Sequence, residues 1–327
     1  MTSWRQAGTP WIWLTAAAVA VSVLALAGII LLLAGQGVRS FWPATVYQFT
    51  LRAPLEGKSQ LLGELYARPT VPQQQLREAG VPLPPDAPAT VTRLLIKVAN
   101  RDLNAGPDSA REFMLVAESD VLARRAPPEV LVIDREESGL VYGTLAGMLE
   151  NGQPLVARNL AAELLRRIPE NRALAARARH VQHHALARVN HRFEVLRLEE
   201  RQLAMTGRLT PQAVSRLHAE RIEVEYQFSR LTTELKSINQ DRQRDALLLR
   251  DAAGKIHTLP LNEVHNAWYP NAMSLPQKLM HTLRAGWAFL SENPRASNTA
   301  GGIFPALFGT VLMVVLMSVM VMPLGVI

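Results

Sequence analysis

Two long stretches without a charged residue lie near the ends of the chain, and a polar segment separates them. Residues 7–38 form the first stretch, and residues 296–327 form the second. At about 1.5 Å per helical residue, the inner part of the first stretch is long enough to cross roughly 30 Å of hydrocarbon. The pattern predicts a membrane protein with transmembrane helices over residues 11–38 and within residues 296–327, and with one polar domain over residues 39–295.

Aromatic residues at both ends of the first apolar stretch favour a helix that is retained in the membrane. Trp11 and Trp13 lie at its start, and Phe41 and Trp42 follow it, where the aromatic belt of a membrane span is usually found. A cleaved signal peptide is the alternative, because it also has a basic start and an apolar body. The apolar run is longer than a signal peptide needs, and it shows no clear cleavage pattern of small residues.

Alternation of apolar and polar residues predicts a β-rich part over residues 39–165. The strand-like segments are TVYQFTL, LLGELYA, TRLLIKVAN, EFMLVAES, EVLVIDR and LVYGTLAGM. The proline-rich segment TVPQQQLREAGVPLPPDAPAT is expected to be a loop outside the sheet, because proline cannot donate to a strand ladder. Together these segments predict a small antiparallel sheet or barrel.

A change of period predicts a helical hairpin over residues 170–244. From Pro169 onward, apolar residues recur every three or four positions among Arg and Glu, which is typical of an amphipathic helix. Gly207, Thr210 and Pro211 suit a helix end, an N-cap and a first helical turn. The short connection predicts two helices that pack antiparallel as a coiled coil. The apolar stripes consist of Leu174, Ala178, Val181, Ala185, Val189, Phe193, Leu196 and Leu203, then Val214, Leu217, Val224, Phe228, Leu231, Leu235 and Ile238.

Beyond the hairpin the sequence predicts a return to the sheet and then an approach to the membrane. Residues 245–265 repeat the pattern of an apolar run, a charged turn with glycine and a second apolar run, so we expect two strands that rejoin the sheet. Residues 266–295 mix aromatic and basic side chains, which suits an amphipathic helix lying at the membrane interface. An ordinary packed connector is the alternative.

The number of spans determines that both chain ends lie on the same side of the membrane, but charge alone does not determine which side. Two spans put both chain ends on one side of a membrane. Positive charge is nearly balanced across the first span, with Arg5 and the α-amino group before it and Arg39 and Arg52 after it. We expect residues 1–10 in the cytoplasm and residues 39–295 in the periplasm, which makes this a multi-pass protein of the bacterial inner membrane. The absence of cysteine is compatible with that compartment.

Charge and motifs exclude several other classes. The net charge is +7, but the basic residues mix with Glu and no nucleic-acid-binding motif is present, so the lipid bilayer is the expected partner and nucleic acid is not. His180 and His184 are one helical turn apart, with His183 and His191 nearby, yet no carboxylate joins them at HExxH spacing. We expect no metal site, no cofactor and no enzyme active site in this chain, which lacks nucleophile and phosphate-loop motifs.

The second apolar stretch carries a family resemblance. Its sequence, NTAGGIFPALFGTVLMVVLMSVMVMPLGVI, resembles the beginning of the membrane domain in permease subunits of bacterial phosphate ABC transporters of the PstA type. Small residues and prolines suit a helix that packs in a bundle. The positions that carry the resemblance are Gly301, Gly302, Ile303, Phe304, Pro305, Ala306, Gly309, Thr310, Pro323 and Gly325.

The resemblance implies a phosphate importer driven by ATP. Such a permease works with a sister permease subunit, a separate cytoplasmic ATPase pair and a periplasmic phosphate-binding protein, and some members carry a long extracytoplasmic insert after the first span. We expect this chain to be the N-terminal portion of such a permease, so no residue of the transport path is carried over. The hairpin is expected to contact the sister permease or the binding protein.

A protein of another class has a similar arrangement. Polysaccharide co-polymerases, which regulate chain length, also place a helical extracytoplasmic domain between two spans, and their second span is rich in proline and glycine. A complete two-span assembly or regulatory protein of this kind is the alternative interpretation.

Overall fold

The structure is a computed structural model that describes residues 9–55, 58–80, 88–99, 112–296 and 300–325. The chain divides into two compact units. Met1–Ala44 and Met273–Ile327 form the first, which we call the apolar-helix unit, and Thr45–Ala272 form the second, which we call the sheet-and-hairpin unit.

Helices lie at the first and last described residues and in the middle of the chain. In the described residues they are α1 (Thr9–Phe41), α2 (Gln73–Glu78), α3 (Leu160–His180), α4 (Leu186–Met205), α5 (Pro211–Gln243), α6 (Leu275–Ser291) and α7 (Phe304–Gly325).

Strands lie mainly on either side of the hairpin. In the described residues they are β1 (Val46–Leu55), β2 (Lys58–Ala67), β3 (Thr70–Pro72), β4 (Thr90–Lys97), β5 (Phe113–Ala117), β6 (Val121–Arg125), β7 (Val130–Arg135), β8 (Leu140–Glu150), β9 (Gln153–Pro154), β10 (Asp245–Arg250), β11 (Ile256–Pro260), β12 (Val264–Trp268), β13 (Pro294–Ala296) and β14 (Ala300–Gly301).

Two helices of the apolar-helix unit are long and apolar enough to cross a membrane. Within the described residues they comprise Ile12–Phe41 of α1 and Phe304–Val321 of α7, and no residue of either stretch is buried. The first helix extends past the predicted end of the span at residue 38, so Arg39 lies in its last turn. A cation is favourable there, because the carbonyl end of a helix carries partial negative charge.

Helix α6 packs against the end of α1. The rings of Phe41 and Phe289 lie with their centroids 5.3 Å apart. Thr282 of α6 is only 3% exposed, and its hydroxyl donates to the backbone oxygen of Lys278 at 2.9 Å. One face of α6 is therefore fixed against α1.

The sheet-and-hairpin unit contains two antiparallel sheets rather than the one small sheet or barrel predicted from sequence. The first has the order β3-β4-β2-β1-β6, with β5 also paired to β4. The second has the order β11-β10-β8-β7-β12, with β9 also paired to β8. The strands on both sides of the hairpin meet in the second sheet, since β10 pairs with β8. The predicted return of residues 245–265 to a sheet is confirmed.

Strand β7 shows why the second sheet holds the unit together. Its side chains are buried on both faces, as expected of a central strand with an apolar run. Leu131 and Ile133 pack in one cluster with Leu164 and Ile168 of α3. Val130 and neighbouring residues on the opposite face pack in a second cluster with residues of the first sheet. The second sheet thus lies between the base of the hairpin and the first sheet.

Strand β12 was missed, because residues 266–295 were all assigned to a membrane connector. The pairing of β12 with β7 shifts register between Val264 and Asn266. The buried side chains are consequently Val264 and Ala267, three positions apart instead of two. A bulge of this kind removes the alternation that identifies a strand in a sequence.

The hairpin begins earlier than predicted, at Leu160 and not near residue 170. The side chain of Asn159 caps the helix, with its Oδ1 accepting from the backbone nitrogen of Ala162 at 3.0 Å. Pro169, which we took as the helix start, lies inside α3. Burial of Leu164 and Ile168 in the core offsets the cost of an internal proline.

The remaining hairpin signals are confirmed. Thr210 caps α5 by accepting from the nitrogen of Ala213 at 3.2 Å, and Pro211 is the first helical residue. Gly207 has a φ of 68°, which glycine adopts without strain. The two apolar stripes meet in two clusters between α5 and the α3–α4 segment. Coiled-coil winding of these helices stays a prediction.

A π-helical turn over Val181–Ala185 joins α3 to α4. The apolar residues Val181, Ala185, Val189 and Phe193 are each four residues apart. This spacing exceeds the 3.6 residues of an α-helical turn. A wider π turn corrects this drift and keeps the stripe facing α5.

Candidate functional site

The Gly301–Gly302 pair of the family resemblance lies where the chain leaves α6 and starts α7. The backbone nitrogen of Gly302 donates to the oxygen of Asn293 at 3.2 Å, and that of Ile303 donates to the oxygen of Phe289 at 2.8 Å. The carbonyl groups in the last turn of a helix have no partner within the helix. Gly302 and Ile303 therefore help to cap α6, and we call the described residues between the two helices, 292–296 and 300–303, the junction.

Both glycines are required by close backbone contacts. Gly301 has a φ of 101°, and a Cβ there would lie 2.6 Å from the nitrogen of Arg295. A Cβ on Gly302 would lie 2.8 Å from the oxygen of Phe289 and would overlap the carbonyl group of Glu292. Because these neighbours are backbone atoms, they cannot move aside as a flexible side chain could. The junction has no room for any other residue at Gly302.

The next positions of the resemblance form the first turn of α7. Ile303 directly precedes the helix, and Phe304 is its first residue. Pro305 follows in the first turn, where a missing N–H costs no intrahelical hydrogen bond. Ala306 is exposed on the same turn. This arrangement explains how Pro305 is accommodated at the start of the apolar helix.

The remaining positions are spread along α7. Nothing lies within 4 Å of a Cβ built on Gly309, so this glycine offers a small surface for another helix to approach. The Thr310 hydroxyl donates to the backbone oxygen of Leu307 at 2.9 Å. Pro323 and Gly325 lie in the last turns of α7. Unlike the junction glycines, Gly309 has no structural constraint within the described residues.

Helix α6 presents an apolar face to its surroundings. Trp287 is 71% exposed and Leu283 is 59% exposed, although both belong to a helix whose other face is fixed against α1. Lys278 and Arg284 lie on the same helix. The exposed apolar side chains on this face, which we call the α6 apolar face, are Leu275, Leu279, Met280, Leu283, Trp287 and Leu290.

A buried ionic cluster joins the base of the hairpin to the second sheet. Arg167 of α3 lies with its Nε 2.6 Å from Glu163 Oε1, its Nη2 3.0 Å from Glu150 Oε2 and its Nη1 2.9 Å from Asp245 Oδ2. The side chains of Arg167 and Asp245 are 9% and 6% exposed. Burial by itself lowers the pKa of Arg167, but hydrogen bonds with the three carboxylates outweigh it and raise that pKa.

Acid is expected to weaken this cluster through Glu163. Hydrogen bonds from Arg166 and then Arg167 lower the pKa of Glu163 from 4.5 to about 2. The unfolded chain therefore binds more protons in this interval, so stability rises with pH between about 2 and 4.5 and is lost as the pH falls through it. Glu163→Gln removes the titrating group and should flatten the pH dependence of the urea midpoint in this range. An unchanged slope would contradict this explanation.

The histidines form no metal site in the part of the chain that the structure describes. The rings of His180 and His184 contact each other edge to face, with centroids 5.1 Å apart. Across the described ranges, no group of three or more His, Asp or Glu side chains is arranged to hold a metal ion.

Comparisons with protein families, with curated proteins and with solved structures found no match to this chain. The candidate site therefore rests on the junction, the α6 apolar face and the two apolar helices. Sequence reasoning found the glycine pair but missed the backbone contacts that require it, since these come from Glu292 and Phe289 of the preceding helix end. It also missed the Arg167 cluster, whose members are far apart in the sequence.

Proposed function

We propose that this chain belongs to the permease subunit of an ATP-driven phosphate import system, with the permease membrane domain beginning at the junction. The observation that carries the proposal is the Gly301–Gly302 pair, whose backbone contacts leave no room for a side chain at the start of α7. This is the segment that resembles the phosphate permeases. A simple membrane anchor needs no such constraint.

The proposed arrangement puts α1 and α7 across the inner membrane of a bacterium. Both chain ends then face the cytoplasm, and the sheet-and-hairpin unit lies in the periplasm. The exposed apolar side chains along both helices support this placement, because such surfaces are stable only in lipid or against other apolar helices.

Helix α6 would lie in the membrane interface. Its apolar face is exposed while the neighbouring face packs on α1, and the junction holds its end at the start of α7. An amphipathic helix beside two spans buries its apolar face among lipid head groups and acyl chains, with Lys and Arg at the polar edge. We therefore retain the predicted interfacial helix for the part of residues 266–295 that forms α6.

A fluorescent probe on α6 tests its position, and the absence of cysteine makes single labelling simple. An environment-sensitive dye on Leu283→Cys, in chain reconstituted into lipid vesicles, should emit at shorter wavelength than the same dye on Arg284→Cys. Brominated lipids should quench the first probe more strongly. Equal, water-like emission from both positions would rule out the interfacial placement.

The expected partners follow from the resemblance. A sister permease subunit would pack against α7, an ATPase pair would supply the energy in the cytoplasm, and a phosphate-binding protein would deliver the substrate in the periplasm. The hairpin, wound as a coiled coil, would contact the sister subunit or the binding protein. Exposed Arg side chains on α4 and α5 favour an acidic surface on that partner.

Uptake of labelled orthophosphate at limiting concentration tests the function. Cells in which the gene encoding this chain is deleted should lose high-affinity uptake, and return of the intact gene should restore it. The helical hairpin between two apolar helices also suits a polysaccharide assembly protein. Unchanged uptake together with altered lengths of surface polysaccharide would reject the transport function in favour of that alternative.

A further inference from the structure

A groove runs along the hairpin beside the π-helical turn. It encloses about 410 Å³ between α4 and α5. Val189 and Leu231, which belong to the apolar seam between the helices, form its floor. Ala185, the last residue of the π turn, lies at its edge. Since π turns are rare and widen a helix locally, the groove occupies the place where the hairpin departs from regular packing.

Three guanidinium groups line this groove, and they belong to Arg188, Arg192 and Arg230. Arg192 already pairs with Glu220. The side chains of Arg188 and Arg230 are exposed, and neither makes an ion pair or a hydrogen bond within the described part of the chain. The groove thus contains two cationic groups whose hydrogen-bonding capacity is unused.

The nearby carboxylate does not neutralise them. Glu234 also lines the groove, but its Oε1 lies 2.7 Å from Nη2 of Arg177. Arg216 and Glu199 make a further pair across the helices. Arg–Glu ion pairs thus join the helices at three positions along the hairpin. At the groove, positive charge remains in excess.

We propose that this groove binds a tetrahedral oxyanion of the phosphate class, held by Arg188 and Arg230. A guanidinium group presents its N–H donors in a planar fork that matches two oxygens of a phosphate. The positive charges of both Arg side chains attract the same anion. The proposal stands on the groove itself and does not require the transport function.

Isothermal titration of the full chain in detergent with inorganic phosphate tests the site. Saturable binding in the millimolar range is expected, since the groove is open to solvent and its charges are screened. Sulfate should displace phosphate because it has the same shape and charge class, whereas chloride at equal ionic strength should not. Displacement by chloride, or no saturable binding, would overturn the proposal.

Paired variants separate the site from general surface charge. Arg188→Gln with Arg230→Gln should weaken phosphate binding roughly tenfold or more, because both forks are lost. Arg201→Gln is the matched control, since Arg201 is exposed on α4 outside the groove, and it should bind as the wild type does. Glutamine keeps helix propensity, and circular dichroism verifies the fold. Equal weakening by the control, or an unaffected double variant, would refute the site.

Discussion

Gly302→Ala is expected to open the junction between α6 and α7. The new Cβ would overlap the carbonyl group of Glu292 and lie 2.8 Å from the oxygen of Phe289, so the hydrogen bonds that cap α6 must break. Overpacking against fixed backbone costs roughly 3 kcal/mol. At 1.4 kcal/mol per tenfold change in an equilibrium constant, the fraction of molecules with an open junction should rise about a hundredfold.

Trypsin provides the readout, because Arg295 lies within the junction. Cleavage after Arg295 requires local opening, so its rate should rise on the order of a hundredfold when opening and closing are faster than cleavage. Gly309→Ala is the matched control, since nothing lies within 4 Å of its Cβ position. Equal cleavage rates in the two variants would contradict the structural role of the glycine pair.

Arg167→Ala is expected to cause a large loss of stability in the sheet-and-hairpin unit. The substitution leaves Asp245, Glu150 and Glu163 without the cation that they share. Removing one partner of a buried ion pair costs about 3 to 5 kcal/mol. We expect about 3 kcal/mol, the lower end, because Arg244 still lies with its Nε 3.0 Å from Oδ1 of Asp245.

The neighbouring residue provides the control. Arg166 pairs with Glu163 and Glu170 on the exposed side of α3, and exposed pairs contribute little. Urea unfolding of the full chain in detergent, followed by helical circular dichroism, should therefore show a large shift for Arg167→Ala and a much smaller one for Arg166→Ala. Similar shifts for both variants would show that the cluster does not hold the hairpin to the sheet.

Local signals predicted much of the secondary structure. The six predicted strand segments before the hairpin, the Thr210 cap and the Gly207 turn depend on neighbouring residues, and each is where the sequence puts it. The expectation that the whole proline-rich segment lies outside the sheet was wrong, because Thr70–Pro72 forms β3 and pairs with β4 at the sheet edge, where a proline is tolerated. Helix α3 was placed too late because Pro169 resembled a start, whereas the cap is Asn159. The burial that offsets an internal proline comes from the sheet, so no local pattern reveals it.

Features that depend on distant contacts could not be predicted. The bulge in β12 is set by pairing with β7, which lies more than a hundred residues earlier. The first sheet consists of strands that precede the hairpin, whereas the second combines strands that precede it with strands that follow it. Only the pairing of the strands distinguishes the two sheets. The glycine pair was visible in the sequence, but glycine is required there because of the position of the Glu292 carbonyl group. Single-sequence patterns carry no information on such distances.

We propose that both apolar helices cross the inner membrane and leave the sheet-and-hairpin unit in the periplasm. Because the chain has no cysteine, one introduced thiol reports one position. Ser229→Cys lies on an exposed position of α5 and should react with a membrane-impermeant maleimide in intact cells. Ser3→Cys should react only after the inner membrane is opened. Labelling of Ser3→Cys in intact cells, or protection of Ser229→Cys until lysis, would contradict the proposed topology.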